Sequence, residues 1–247
     1  EYNESGRLGW ASPFLPCSVR TAANPYPLEL PGFGEGKIMP QSESSMLVAE
    51  TLARNYRGGT VLDMCCGRGV KTGQLADLLP EAKIEAWDLS EGKLKSAALE
   101  MMRLHAEDRV SFREGDALTL TPEEQPTTIL LDAPCSGSGT WGRHPESKWR
   151  MTPEQVEENS LLQNKLLERA AELLAPGGVL AYSTCSLFRD ENEKTVAEVM
   201  AKHPELVELP IERTEKFMVR GKPYGTTIMP ALPWVDGFYM ALFEKRK

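Results

Sequence analysis

Cys135, in the stretch ILLDAPCSGSG, and Cys185, in GGVLAYSTCS, each follow an apolar run that reads as a buried β-strand. Open α/β sheets place ligands and reacting groups at the carboxyl ends of their strands. Two thiols delivered to one sheet edge, with Asp132 beside the first, point to covalent chemistry shared between a nucleophile and a helper. A free cysteine more often packs as a small hydrophobe. Around Cys135, however, Pro134 and Ser136-Gly137-Ser138-Gly139 are turn residues, which expose a side chain. A disulfide framework fits poorly, because five cysteines leave one over and no secretory signal opens the chain. No metal is expected either: Cys65 and Cys66 adjoin instead of being spaced as a chelating pair, and His105, His144 and His203 lie in unrelated segments.

For both thiols to reach one edge, a sheet must lie beneath them, and the chain alternates strand and helix patterns from residue 41 onward. Met46, Leu47, Ala49, Leu52 and Ala53 fall at helical spacing between Gln41 and Tyr56, with Ser42 and Ser44 as capping candidates. Strands are expected over Thr60–Met64, Lys83–Asp88, Arg109–Glu114, Thr128–Asp132 and Val179–Ser183. Helices are expected over Lys71–Leu79, Glu91–Leu104, Pro153–Leu174 and Glu191–Lys202. The third of these opens on Thr152-Pro153 and closes on Pro176-Gly177-Gly178. Such alternation argues for an α/β fold with a mostly parallel sheet and helices on both faces. A late strand, Gly237–Glu244, is expected to add antiparallel at an edge. Residues 1–40, rich in Pro, Gly, Asn and Ser, read as an irregular lead-in to one domain over 41–247.

Composition bounds the function. A chain of 247 residues holds one sizeable domain, and no apolar run approaches the length of a membrane span, so no membrane partner is expected. Poised, unpaired thiols need a reducing compartment, which makes the cytoplasm the expected location. The net charge of −8 runs against a nucleic-acid partner, since phosphate binding usually leaves a basic footprint. The chain opens at Glu1 without a methionine, which leaves room for a further segment bearing a basic surface.

Between the first strand and its helix lies VLDMCCGRGVKTGQL, a glycine-bearing turn that lets a ligand approach the backbone. Gly67 and Gly69 are spaced as in dinucleotide loops, but position 72 is Thr and the third glycine, Gly73, comes one residue late. The second strand ends in Asp88, the third is followed by Gly115-Asp116, and the fourth ends in Asp132. Each aspartate taken singly reads equally as a cap or turn residue. Delivered in series to one sheet edge, they suit an adenosine ligand with an amino-acid tail.

DAPCSGSGTWGRHPESKWR, followed by GGVLAYSTCS, resembles the Sun-related family of RNA cytosine-C5 methyltransferases, the RsmB/RsmF class. The resemblance runs from about Gly36 to the end of the chain and is sharpest at Asp132-Ala133-Pro134-Cys135, Arg143-His144-Pro145 and Ser183-Thr184-Cys185-Ser186. It implies a Rossmann-like class I methyltransferase fold and S-adenosylmethionine as cofactor. The cofactor's methionine part would then sit in the loop formed by Cys65, Cys66, Gly67, Arg68, Gly69, Val70 and Lys71, with Asp88 and Asp116 on ribose and adenine. Asp132 would lie between cofactor and base. Family members usually carry Ala-Ala-Pro-Gly-Gly-Lys in that loop, so Arg68 stands where a proline is usual, and Pro230-Ala231 stands where the family has Pro-His.

The chemistry so implied explains a need for two thiols. C5 of cytosine is a poor nucleophile until a thiolate adds to C6, and the adduct must later lose its C5 proton and release the enzyme. The resemblance assigns attack to Cys185 and release to Cys135, whereas spacing and composition do not rank them. Cys185 needs an electropositive or hydrogen-bonded setting, for which Lys71 is a candidate. Arg143, His144, Lys148, Trp149 and Arg150 form a basic and aromatic cluster suited to RNA phosphates and base stacking, or equally a mixed-charge surface loop. Ribosomal RNA is the first expected substrate and transfer RNA the second. A DNA cytosine-C5 methyltransferase would use the Pro-Cys thiol as its nucleophile, and Thr184-Cys185 at the later strand argues for RNA. A non-catalytic RNA-binding scaffold is the remaining alternative, which loss of S-adenosylmethionine binding would reveal.

Overall fold

The computed structural model describes residues 9–13, 15–21, 26–211, 215–230 and 235–247. Ala231 of the Pro230-Ala231 pair lies outside them. In chain order the elements are β1 (Gly9–Ala11), β2 (Val19–Thr21), α1 (Glu43–Arg54), β3 (Val61–Asp63), α2 (Val70–Leu78), β4 (Ile84–Asp88), α3 (Glu91–Arg103) and β5 (Val110–Glu114). There follow β6 (Thr128–Asp132), α4 (Pro153–Leu173), β7 (Val179–Thr184), α5 (Thr195–Lys202), β8 (Leu206–Glu208), β9 (Met218–Arg220), β10 (Thr226–Ile228) and β11 (Phe238–Lys245).

The main sheet runs in the order β5-β4-β3-β6-β7-β11-β10-β9, with β8 also paired to β11. Strands β3 to β7 are parallel, and β11 joins antiparallel beside β7. The chain leaves β3 toward β4 on one side and later returns to place β6 on the other. The strand order therefore reverses between β3 and β6, and a crevice opens outside their carboxyl ends. Both the glycine-bearing turn and Asp132 stand at that crevice.

Successive residues of β6 face opposite layers, as a pleated strand requires. Leu130 packs with α1, α2 and α3, while Ile129 and Leu131 pack with α4 and α5. All three are fully buried, and burying a leucine of this kind contributes roughly 1.5–3 kcal/mol. Helix starts are encoded locally. Ser42 accepts from the Ser45 amide, and Thr152 and Gln155 form a reciprocal capping box before Pro153.

The expected elements are present, with ends that shift by a residue or two. What the sequence pattern did not reveal is short. The lead-in contains the β1–β2 hairpin, joined to α1 by the buried pair of Arg20 and Glu43 at 2.7 Å. β8, β9 and β10 extend the sheet beyond β11. Each of these strands has three residues, too few to display an alternating pattern. The helix expected from Glu191 begins instead as one wide π turn over Asp190–Lys194 before α5.

Candidate active site

β6 and β7 are parallel neighbours with Asp132 level with Ser183, so the segments that follow them leave the sheet side by side. The Ala133 amide donates to the Ser183 carbonyl, and the Gly139 amide to the Cys185 carbonyl, each at 2.9 Å. These bonds bring the two thiols together: Cys135 Sγ and Cys185 Sγ are 3.4 Å apart. Gly139 is needed here, because a Cβ on it would meet the Gly237 carbonyl oxygen at 2.0 Å.

Lys71, in the first turn of α2, reaches across the crevice to Asp132 with Nζ 2.6 Å from Oδ2. Ser183 Oγ donates to the other carboxylate oxygen at 2.7 Å, and the Lys71 ammonium stands 5.1 Å from the centre of the Phe238 ring. The thiols are not equivalent in this setting. Hydrogen bonding from Cys135 pulls the Cys185 pKa below the ordinary thiol value, with a smaller contribution from Lys71 working against burial and Asp132. The same bond, together with burial, pushes Cys135 well up. Of the two, Cys185 is therefore the thiol that ionises first. Lys71 contributes the positive field sought in the sequence, but Cys135 contributes more.

The glycine-bearing turn forms the other wall. Gly69 caps α2 with φ +78°, and a Cβ there would press on Ala97 at 2.9 Å. Gly67, at φ +58°, has open space where a Cβ would be, and its amide donates to Asp88 Oδ2 at 3.0 Å. The Ser90 amide holds Asp88 Oδ1 at 2.9 Å. Arg68 is exposed, Val70 is half-buried, and burial pushes the Cys65 and Cys66 thiols far up, which disfavours their thiolates. Asp116 is exposed and uses Oδ1 to accept from the Leu118 amide at 2.9 Å.

The basic and aromatic cluster is divided. The Arg143 guanidinium grips Asp236, with Nε 2.9 Å from Oδ1, and so anchors the segment beside β11. His144 lies 3.8 Å from Glu146, while Lys148 stands 5.9 Å from the Trp149 ring centre. Trp149 is 85% exposed, and Arg150 is exposed with it.

The sequence reading missed the roles of three residues of this region. Ser183 adjoins the Thr184-Cys185 motif and had a positional signal. Asp63, the last residue of β3, is fully buried. Thr72 Oγ1 donates to its Oδ2 at 2.7 Å, while Oδ1 is buried with no hydrogen-bond partner among the described residues. Burial raises its pKa to about 7. Glu191 follows Cys185 closely in the chain but carried no motif signal of its own.

The family model for 16S rRNA methyltransferase RsmB/F matches residues 50–244. The chain belongs to that family. Among its relatives, ribosomal RNA small subunit methyltransferase B of Klebsiella pneumoniae is 34% identical over 99% of this chain and 55% of the relative. The enzyme of the same name from Thermus thermophilus is 36% identical over 84% of this chain and 50% of its own length. The chain thus spans about half the length of these curated relatives. The structure of NSun6 from Pyrococcus horikoshii with SFG, an S-adenosylmethionine analogue, aligns with a TM-score of 0.79 at 28% identity. That alignment covers 90% of this chain and 57% of the other. The fold is that of class I S-adenosylmethionine-dependent methyltransferases.

The crevice of this RsmB/F family member suits that cofactor. Space over Gly67, the unpartnered Asp63 oxygen and the Asp88 carboxylate at the end of β4 offer room, a polar partner and a ribose acceptor along one edge.

Proposed function

We propose that this chain is the methyl-transferring part of an RNA cytosine-C5 methyltransferase acting on small-subunit ribosomal RNA. The observation that carries the reading is the 3.4 Å contact between Cys135 and Cys185, beside the Lys71–Asp132 pair at the switch point of the sheet. Methylation of a ribose hydroxyl, a ring nitrogen or an amino group needs no nucleophilic cysteine. Methylation of C5 does, and a second thiol against the first serves its release.

Cys185, the member of the pair that ionises first, adds as thiolate to C6 and forms the carbon–sulfur bond, and the displaced electron density makes C5 nucleophilic. Asp132, held from both sides by Lys71 and Ser183, has carboxylate lone pairs left to accept from the cytosine amino group and fix the ring. S-adenosylmethionine, when bound in the crevice, supplies the methyl group as an electrophilic sulfonium. Release passes the C5 proton to solvent water as the C5–C6 double bond re-forms, the C6–sulfur bond breaks and its electron pair returns to sulfur. At that moment the Cys135 S–H donates to the departing Cys185 thiolate, the same interaction that lowers its pKa in the free protein. The target base must be unstacked to enter. Exposed Trp149, with Lys148 and Arg150 beside it, offers stacking and phosphate contacts for single-stranded RNA.

The test is incubation of the full-length protein with small-subunit ribosomal RNA and methyl-labelled S-adenosylmethionine, followed by nucleoside digestion. Label in 5-methylcytidine is the expected result. Label in another nucleoside, or none, overturns the reading.

A further inference from the structure

Between β7 and α5 the chain makes a π turn in which Glu191 and Asn192 both point inward and are buried, at 0% and 1% exposure. The Lys194 amide closes this turn on the Arg189 carbonyl at 3.0 Å. Wide turns of this kind are rare and concentrate at functional sites. Among the described residues no lysine or arginine pairs with Glu191. Its carboxylate instead receives the Ser136 amide at 2.8 Å, Ser136 Oγ at 2.5 Å, Gln163 Nε2 at 3.3 Å, and Ser186 Oγ. Ser136 directly follows Cys135, and Ser186 directly follows Cys185. The Glu191 carbonyl also accepts from Tyr182 at 2.6 Å, and Asn192 accepts from Thr184 Oγ1 at 2.6 Å while donating to the Ser186 carbonyl.

We infer that Glu191 is a positioning residue for the cysteine pair, one buried carboxylate that locks the loop carrying Cys135 to the loop carrying Cys185. Burying a charge without a cation is costly unless hydrogen bonds satisfy it. Here both donors from side-chain hydroxyls come from the cysteine loops themselves, so neither loop can shift without leaving the carboxylate short of partners. The charge also distinguishes the thiols. For Cys135 the Glu191 charge works in the same direction as the larger effects of the Cys185 contact and burial, and it also raises Tyr182, whereas Lys71 favours ionised Cys185. Negative charge on the Cys135 side therefore adds to the preference for ionising Cys185. In its consequence for turnover this inference rests on the cytosine-C5 reading, but its effect on the thiols does not.

The experiment is timed alkylation of the full-length protein with iodoacetamide across pH, with modification of the Cys135 and Cys185 peptides followed separately by mass spectrometry. Wild type modifies Cys185 first. Glu191→Gln removes the charge at nearly constant shape and is expected to reduce the Cys185-over-Cys135 preference by roughly tenfold, the equivalent of one pKa unit. Its kcat for RNA methylation is expected to fall with KM for RNA unchanged, and Glu191→Asp should recover part of the preference. The double variant Ser136→Ala with Ser186→Ala removes two hydroxyl donors and keeps the charge, and it should reduce the preference less. If Glu191→Gln does not fold, the double variant alone decides. A wild-type preference in a folded Glu191→Gln protein, or in the double variant where that is the one read, overturns the inference. Altered alkylation without any 5-methylcytidine formation by wild type overturns the methylation reading and leaves the positioning role standing.

Discussion

Cys135 and Cys185 are separated by 50 residues in the chain and by 3.4 Å between their sulfur atoms. That contact makes a single unit of two thiols that are otherwise indistinguishable by type, and their surroundings divide the charge between them.

The first expectation concerns that division. Cys185→Ala should abolish methyl transfer outright. Cys135→Ala should keep the attack and impair release, so that a covalent protein–RNA complex accumulates and survives denaturing electrophoresis. Adduct accumulation in Cys185→Ala instead would reverse the two roles.

A pH profile follows from the same pair. The thiolate fraction of Cys185 rises with pH and reaches half at its pKa, which hydrogen bonding from Cys135 holds below the ordinary thiol value. Alkylation of Cys185 should therefore reach half its plateau rate at a lower pH than a free thiol. Cys135→Ala should move that midpoint upward, and Lys71→Met should move it in the same direction by less. A midpoint unmoved by Cys135→Ala would show that the hydrogen bond does not tune the nucleophile.

Asp63 sets a pH dependence of stability with the opposite sense to most carboxylates. Its folded pKa is raised from 3.8 to about 7 by burial, so the folded state binds the proton more tightly than the unfolded chain. Its contribution is fully present below pH 3.8 and is lost as pH rises toward 7. Asp63→Asn, which keeps an acceptor for Thr72, should remove that loss and stabilise the cofactor-free protein at pH 8 by a few kcal/mol. Chemical denaturation at pH 5 and pH 8 measures it, and an equal difference between variant and wild type at both values would refute the assignment.

The exposed cluster carries an RNA-affinity prediction. Trp149→Ala should weaken binding of single-stranded RNA by about 1–3 kcal/mol, the usual worth of a base–aromatic stack, with Tm unchanged because the ring is 85% exposed. Removing Lys148 and Arg150 should weaken binding and flatten its salt dependence. Arg143→Ala should behave differently and lower Tm, since its partner Asp236 is buried. Filter binding at two salt concentrations, with melting curves, separates these outcomes.

Much of this protein was determined by local sequence. The strand and helix periods of residues 41–245, the glycine turn after β3, the serine and threonine caps and the two cysteine motifs all rest on interactions within a few residues, and a one-dimensional reading captures such interactions. The alternation implied a mostly parallel sheet with ligands at its strand ends, but the strand order that opens the crevice between β3 and β6 came only with the tertiary structure. Tertiary structure decided what depends on distant partners. Which thiol ionises first is set mainly by the contact between the two, with Lys71 from α2 adding to it on the Cys185 side. Arg143 became an anchor instead of an open cation because β11 brings Asp236 to it. The three-residue strands exist only because β11 and the hairpin partner offer backbone groups to pair with. A pKa and an ion pair are properties of a neighbourhood, and here folding assembled that neighbourhood from segments as far apart in the chain as Lys71 and Phe238.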